Sequence, residues 1–418
     1  MARPADHPVP PRYPAMLRFG LLGCDAAIAR VADAAARRGD ALVAGYDVGP
    51  PWSPAHPIPR LDSWEPLLDP RAADVVLVGS DGWNDRRAEA VRTLVQAGRT
   101  LVLSQPLELS MLWAYELDMI RRDTGAVLVP CLPDRLHPLV SRLRATIEAA
   151  EAGVGDLGPV ESIHVERRLA DRSKASVMSW FCRDVDVVRA LVGDPERLST
   201  LAATGADSAW PSLAVGLTST PGLPARWQVA PGHAAELSIR LQSARGSVVV
   251  VAPDDDAEPW TWNDQPATAF DRGLATLGAL DEAMGRSTTA RDDDAMPPAG
   301  WNDAARAIEL AETVPRSLAR GRAIDLHREE YTDLGTFRGT MASLGCGLIM
   351  VALVVVIVAT LAAGVAREFG WAAVGGIVDA WPTIVLAALG LFLALQVIPL
   401  LIGGSDERPS PPGGGPRT

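Results

Sequence analysis

The stretch from residue 17 to residue 48 constrains this chain more than any other. Residues 17–23 (LRFGLLG) form a short apolar run closing on glycine. The next residues, CDAAIARVADAAARRGD, have the alanine content and apolar spacing of a helix ending at Gly39, and ALVAGYDV follows as a second strand. A strand, a Gly-bearing turn, a helix and a strand tipped by an acid, Asp47, is an arrangement in which helix N–H groups face a pyrophosphate and the acid accepts ribose hydroxyls. The alternation continues with DVVLVGS (74–80), a helix over 86–97, RTLVL (99–103) and AVLVP (126–130). Strands alternating with helices predict a Rossmann-like, doubly wound parallel sheet.

Beyond it, residues 160–165, 214–219, 226–229, 235–241 and 247–252 alternate or run apolar as strands, which predicts an α+β domain on an open antiparallel sheet. The chain's 418 residues suit two such domains. The expected organisation is a disordered N-terminus (1–16), a dinucleotide-binding domain (17–132) and a substrate domain (133–335). Two transmembrane helices (342–364 and 383–402) and a disordered tail (403–418) follow. Acidic, Pro- and Trp-rich stretches such as PDDDAEPWTWNDQP read as solvated loops, and consecutive acids such as Asp254, Asp255 and Asp256 do not converge on one metal ion.

The membrane expectation rests on two uncharged runs, ASLGCGLIMVALVVVIVATLAAG and TIVLAALGLFLALQVIPLLI, each long enough for about 20 apolar residues to span a bilayer; a pair of buried core helices is the alternative. Arg316, Arg320, Arg322, Arg328 and Arg338 precede the first run, which predicts a two-pass protein of the inner membrane with body and tail cytoplasmic and lipid as a partner. Residues 1–16 carry no apolar signal-peptide core. A formal net charge of -12, without a basic stripe, argues against nucleic acid. Cys24, Cys131, Cys182 and Cys346 are scattered, with no metal or disulfide pattern. A small-molecule ligand and a homo-oligomer are both compatible with the sequence.

Several segments in order resemble the glucose-fructose oxidoreductase, inositol dehydrogenase and MocA group (Gfo/Idh/MocA). GLLGCD (20–25) is similar to its first turn, AGRTLVLSQPLELS (97–110) to its "AGKHVLxEKPLALT" segment, and DRLHP (134–138) to "RRFHP". SWFCRDVDVVRALVGDP (179–195) resembles "DLGxHxxDLLRWLLGEP", and residues 305–326 resemble the closing helix and strand of the substrate domain. The resemblance covers about residues 17–330. It implies an oxidoreductase using NAD or NADP on a sugar- or cyclitol-like polyol, with Gly20, Gly23, Asp25, Asp47, Ser80, Ser104 and Pro106 at the cofactor, and His137, Arg183 and Asp186 at the substrate cleft.

The departures fall on the chemistry. Asp25 stands where the backbone of a glycine would approach the pyrophosphate. A carboxylate there can cap the helix and exclude phosphate; in the other reading the turn shifts and a cofactor binds through Gly23 and Asp47. Gln105 replaces the lysine of "EKP", keeping length and losing charge. Ser179 and Arg183 replace the aspartate and the acid/base histidine, and Asp186 alone is retained. Arg183 cannot shuttle a proton near neutrality but can bind a carboxylate or pair with Asp184 or Asp186. The alternative to an active enzyme is therefore a pseudo-oxidoreductase that senses a ligand or scaffolds partners. His137, in DRLHP, is the histidine best placed for a cleft, with capping or packing as its other reading.

Overall fold

The structure is a computed structural model that describes residues 16–49, 58–155, 157–202, 209–219, 222–286 and 295–326, with a few isolated helical positions between 354 and 368. The first half runs β1 (Arg18–Leu22), α1 (Ala26–Arg38), β2 (Ala41–Tyr46), β3 (Val75–Val78), α2 (Asp85–Gln96), β4 (Thr100–Ser104), α3 (Met111–Thr124) and β5 (Val127–Cys131). Its five strands are all parallel, in the order β2-β1-β3-β4-β5. The order reverses between β1 and β3, and the carboxyl ends of those two strands define the crevice where such sheets take ligands. Strands β1 and β3 are buried on both faces, which is why they read as continuous apolar runs. Helix α1 begins where Asp25 Oδ1 accepts the Ile28 N–H and ends at Gly39, whose φ of 95° is a left-handed conformation that glycine adopts at no steric cost.

The second half runs α4 (Pro138–Glu151), β6 (Val160–Leu169), α5 (Lys174–Val192), β7 (Arg197–Ala202), β8 (Leu213–Thr218), β9 (Ala225–Pro231), β10 (Glu236–Ser243), β11 (Gly246–Pro253), β12 (Thr261–Trp262), β13 (Gln265–Pro266), α6 (Arg272–Ala283), α7 (Trp301–Arg320) and β14 (Ile324–Asp325). Its strand order is β13-β12-β11-β10-β6-β9-β8-β7-β14. The expected antiparallel sheet is corrected to a mixed one, because β6 and β9 pair in parallel. Helix α5 and strands β7 and β8 separate β6 from β9 in sequence, a crossover long enough to bring β9 back in the same direction. Strands β6 and β9 pack on α5, where Arg167 meets Asp184 and Trp227 meets Phe181 edge-on at 5.1 Å. One apolar core joins residues of both sheets, from Val76 and Leu101 to Ile163 and Trp227, and α6 returns to pack on α1.

Two expectations are corrected. The segment read as a solvated loop carries β12 and β13, and its Trp260 is buried and stacks on His137 at 3.9 Å. Its acids are engaged by arginines, Arg30 on Asp256 at 2.8 Å and Arg272 also on Asp256. The two-pass membrane placement is also corrected: among the described residues no helix is long and apolar enough to cross a membrane. The longest of them, the 20-residue α7, is interrupted by Arg306, Glu309, Glu312 and Arg316, so its length comes without the apolar surface a span needs. The runs 342–364 and 383–402 lie outside the described residues apart from single positions such as Val354 and Leu361, as do residues 1–15 and the tail 403–418.

Candidate functional site

The first turn carries Gly23, Cys24 and Asp25 between β1 and α1, and Gly79 and Ser80 follow β3 beside it. Asp25 is 5% exposed. Its Oδ1 accepts the Ile28 N–H at 3.0 Å, and its Oδ2 accepts both the N–H and the hydroxyl of Ser80 at 2.7 Å. One side chain thus bridges the switch point between β1 and β3. Burial works against ionisation, but the nearby Ser104 hydroxyl and the hydrogen bonds from the Ile28 N–H and Ser80 outweigh it and hold the Asp25 carboxyl below its ordinary range. The turn therefore carries a buried carboxylate at the N-terminus of α1, where the helix dipole favours negative charge.

A second filler lies on the other side of the turn. Arg87, on the first turn of α2, is 3% exposed and packs its guanidinium against Gly23, where an added Cβ would come within 2.7 Å of Arg87 Cζ. Its Nη1 donates to the Gly79 and Asp81 carbonyls, and its Nη2 to Asp47 Oδ2. Asp47, at the end of β2, thus has its carboxylate engaged by arginine beside the turn. Gly20 lies within β1, where a Cβ would press on Leu67, so its smallness serves packing. Taken together, a buried carboxylate at the second position of the turn and an arginine over its first glycine fill the turn between β1 and α1.

The segment after β4 leads to the other half of the molecule. Gln105 is buried, precedes Pro106 across a cis peptide bond, and donates through Nε2 to the Ala304 carbonyl on α7 at 3.2 Å. Ser104 is buried beside it. From α5, Arg183 Nε donates to the Gln105 carbonyl at 2.7 Å, and its guanidinium lies 5.0 Å from the Trp180 ring. Arg183 pairs with neither of its acidic neighbours. Asp184 is taken by Arg167 and by Trp227 Nε1 at 2.9 Å, and Asp186 lies 3.3 Å from Arg135 Nε and 3.9 Å from Arg189 Nη1.

Of these groups, Trp180, Arg183, Asp186 and Arg135 line an open cleft that runs from α1 across the end of β5 to α5. Arg272 and Arg30 line it as well. Asp186 is 1% exposed, and neither of its carboxylate oxygens has a hydrogen-bond partner. Burial, only partly offset by Arg135 and Arg189, pushes its carboxyl up to about 6. It is therefore a cleft group able to exchange a proton near neutrality. Cys131 also lines the cleft, but burial pushes its thiol up to about 11, which leaves it protonated and a poor nucleophile. His137 is not among the lining side chains; its Nδ1 accepts the Leu139 N–H at 3.1 Å and caps α4. Ser179, one turn before Arg183 on α5, is likewise absent from the lining. Arg87 and Arg135, the two arginines that organise the turn and the cleft, were not anticipated from the sequence. Among the described residues no cluster of His, Cys, Asp or Glu could hold a metal ion.

No protein-family model and no curated protein sequence matches the chain. Solved structures do. A myo-inositol dehydrogenase from Corynebacterium glutamicum is 15% identical at a TM-score of 0.55, over 75% of this chain and 99% of that one. GenD2 from gentamicin A biosynthesis, in complex with NAD, is 17% identical at 0.58, over 78% and 99%. The WlbA dehydrogenase from Bordetella pertussis, in complex with NADH and UDP-GlcNAcA, is 18% identical at 0.56, over 75% and 100%. At this level of identity the likeness establishes the fold alone, the parallel sheet joined to a mixed sheet described above.

Proposed function

We propose that this chain is a small-molecule-binding protein on the Gfo/Idh/MocA plan, divided near residues 132 and 133 into a nucleotide-type half and a ligand-binding half. Its working site is the cleft between α1, β5 and α5. The observation that carries this reading is the buried Asp25 carboxylate, which satisfies the N-terminus of α1 and joins it to Ser80. Gln105 and Arg183 support it, since neither can give or take the proton that accompanies hydride transfer. A sugar- or cyclitol-like polyol is the ligand class the resemblance suggests.

A second reading, an active NAD- or NADP-dependent dehydrogenase, is favoured by GenD2 and WlbA, whose structures hold NAD and NADH, and NAD(P) as a cofactor is consistent with them. In it the first turn shifts and the dinucleotide binds through Gly23 and Asp47. Titrating the full-length protein with NADH and NADPH while following nicotinamide fluorescence separates the two. The wild type is expected to show no saturable binding at millimolar cofactor, and Asp25→Gly, which removes a charge beside the phosphate position, to gain it. Micromolar binding by the wild type sinks the first reading, and an Asp25→Gly variant no better than wild type counts against the role given to that carboxylate.

A further inference from the structure

The charges along the cleft are not evenly matched. Arg272 pairs with Asp134 at 2.7 Å, Arg30 with Asp254 at 3.6 Å, and Arg135 with both Asp186 and Asp303. Arg183 has no carboxylate partner among the described residues. Its Nε is held by the Gln105 carbonyl and its plane lies near the Trp180 ring, so the guanidinium is fixed while its two terminal nitrogens stay uncommitted among the described residues. A planar, oriented arginine fork of this kind matches the two oxygens of a carboxylate.

Asp186 supplies the complementary half. It lies three residues along α5 from Arg183, so the two side chains share one face of that helix. Both of its oxygens are buried at the cleft without a hydrogen-bond donor, although two arginines stand within 4 Å. Buried acceptors left bare are costly, and hydroxyl groups are the donors a neutral polyol offers. A phosphate dianion suits the cleft less well, because Arg30, Arg135 and Arg272 are already paired with carboxylates and, among the described residues of the lining, Arg183 alone is left to meet a second charge.

We propose that the cleft binds a small polyhydroxy carboxylate, such as an aldonic or uronic acid, whose carboxylate is taken by the Arg183 fork and whose hydroxyls donate to Asp186. This rests on the cleft being the working site and names the class of ligand it takes. It stands whether or not a dinucleotide binds.

Calorimetric titration of the full-length protein with D-gluconate and D-glucuronate, against D-glucose, myo-inositol and inorganic phosphate, tests it. The acids are expected to bind at least roughly tenfold more tightly than their neutral counterparts, the scale of one charge-assisted pair. Arg183→Gln abolishes the preference and Arg183→Lys, which keeps the charge but loses the fork, retains part of it. Asp186→Asn weakens glucose and gluconate alike. If Arg183→Gln does not fold, the wild-type ranking decides alone. Equal affinity for gluconate and glucose, tighter binding of phosphate than of either acid, or no binding of the acids with or without NADH overturns the proposal. Binding of the acids only in the presence of NADH leaves the ligand class standing and overturns the exclusion of the dinucleotide.

Discussion

Asp186 shows what the cleft asks of a single residue. Its folded-state pKa of about 6 lies above the ordinary 3.8, so the fold favours the protonated form. That contribution is complete below the unfolded value and is lost as pH rises through about 6, after which the ionised group works against the fold. Asp186→Asn is expected to raise the unfolding midpoint near neutral pH, by up to about 3 kcal/mol for a two-unit shift, with the gain vanishing under acidic conditions. Arg135 and Arg189 keep Asp303 as a partner in that variant, so neither is stranded. Thermal melts of both proteins across pH check this; a gain that grows on acidification refutes it. The substituted residues were legible in the sequence because Asp25, Gln105 and Arg183 stand at positions where the resembled segments have other chemistry. Arg87 was not legible. An arginine near a helix start reads as solvated surface, and its partner Asp47 lies 40 residues away.

At the scale of elements, the α1–α6 packing depends on one small residue. A Cβ at Gly273 would overlap the Arg30 carbonyl and come 2.7 Å from Ala34 Cβ, and those are backbone and helix-face atoms that cannot step aside. Gly273→Ala is expected to destabilise by roughly 1–3 kcal/mol, as overpacking does. On the same helix Gly278 is exposed with nothing near its Cβ position, and Gly278→Ala is expected to stabilise by about 0.5–1 kcal/mol. Chemical denaturation of the pair reads both signs at once, and a Gly273→Ala protein as stable as wild type removes the close-approach argument. The strands of the parallel sheet were legible because burial on both faces writes them as apolar runs bounded by glycine. Strand β7 (RLSTLA) was not, since its apolar content is low and its hydrogen bonds come from β8 and β14. The parallel pairing of β6 with β9 depends on crossover topology, which strand periodicity does not record.

For the molecule as a whole, acid response is a sum of opposing groups. Burial depresses His137 to about 4, outweighing Asp134, so the fold favours neutral imidazole. Its contribution is present above the ordinary 6.5 and is lost as pH falls through about 4. Asp186 moves the other way over much of that window. His137→Asn, which keeps a capping side chain at α4, is expected to flatten the loss of stability on acidification, measured as denaturant midpoint against pH; an unchanged slope excludes His137 as its source.

The ties across the two halves carry a kinetic consequence. Gln105 Nε2 on the Ala304 carbonyl, Trp301 Nε1 on the Ala114 carbonyl and Met111 N–H on Glu312 Oε1 rivet the nucleotide-type half to α7 at three places. Ties of this kind are expected to oppose a hinge motion between the halves. If a small molecule binds in the cleft as proposed, its affinity is then expected to be set more by how slowly it leaves than by any movement of one half against the other.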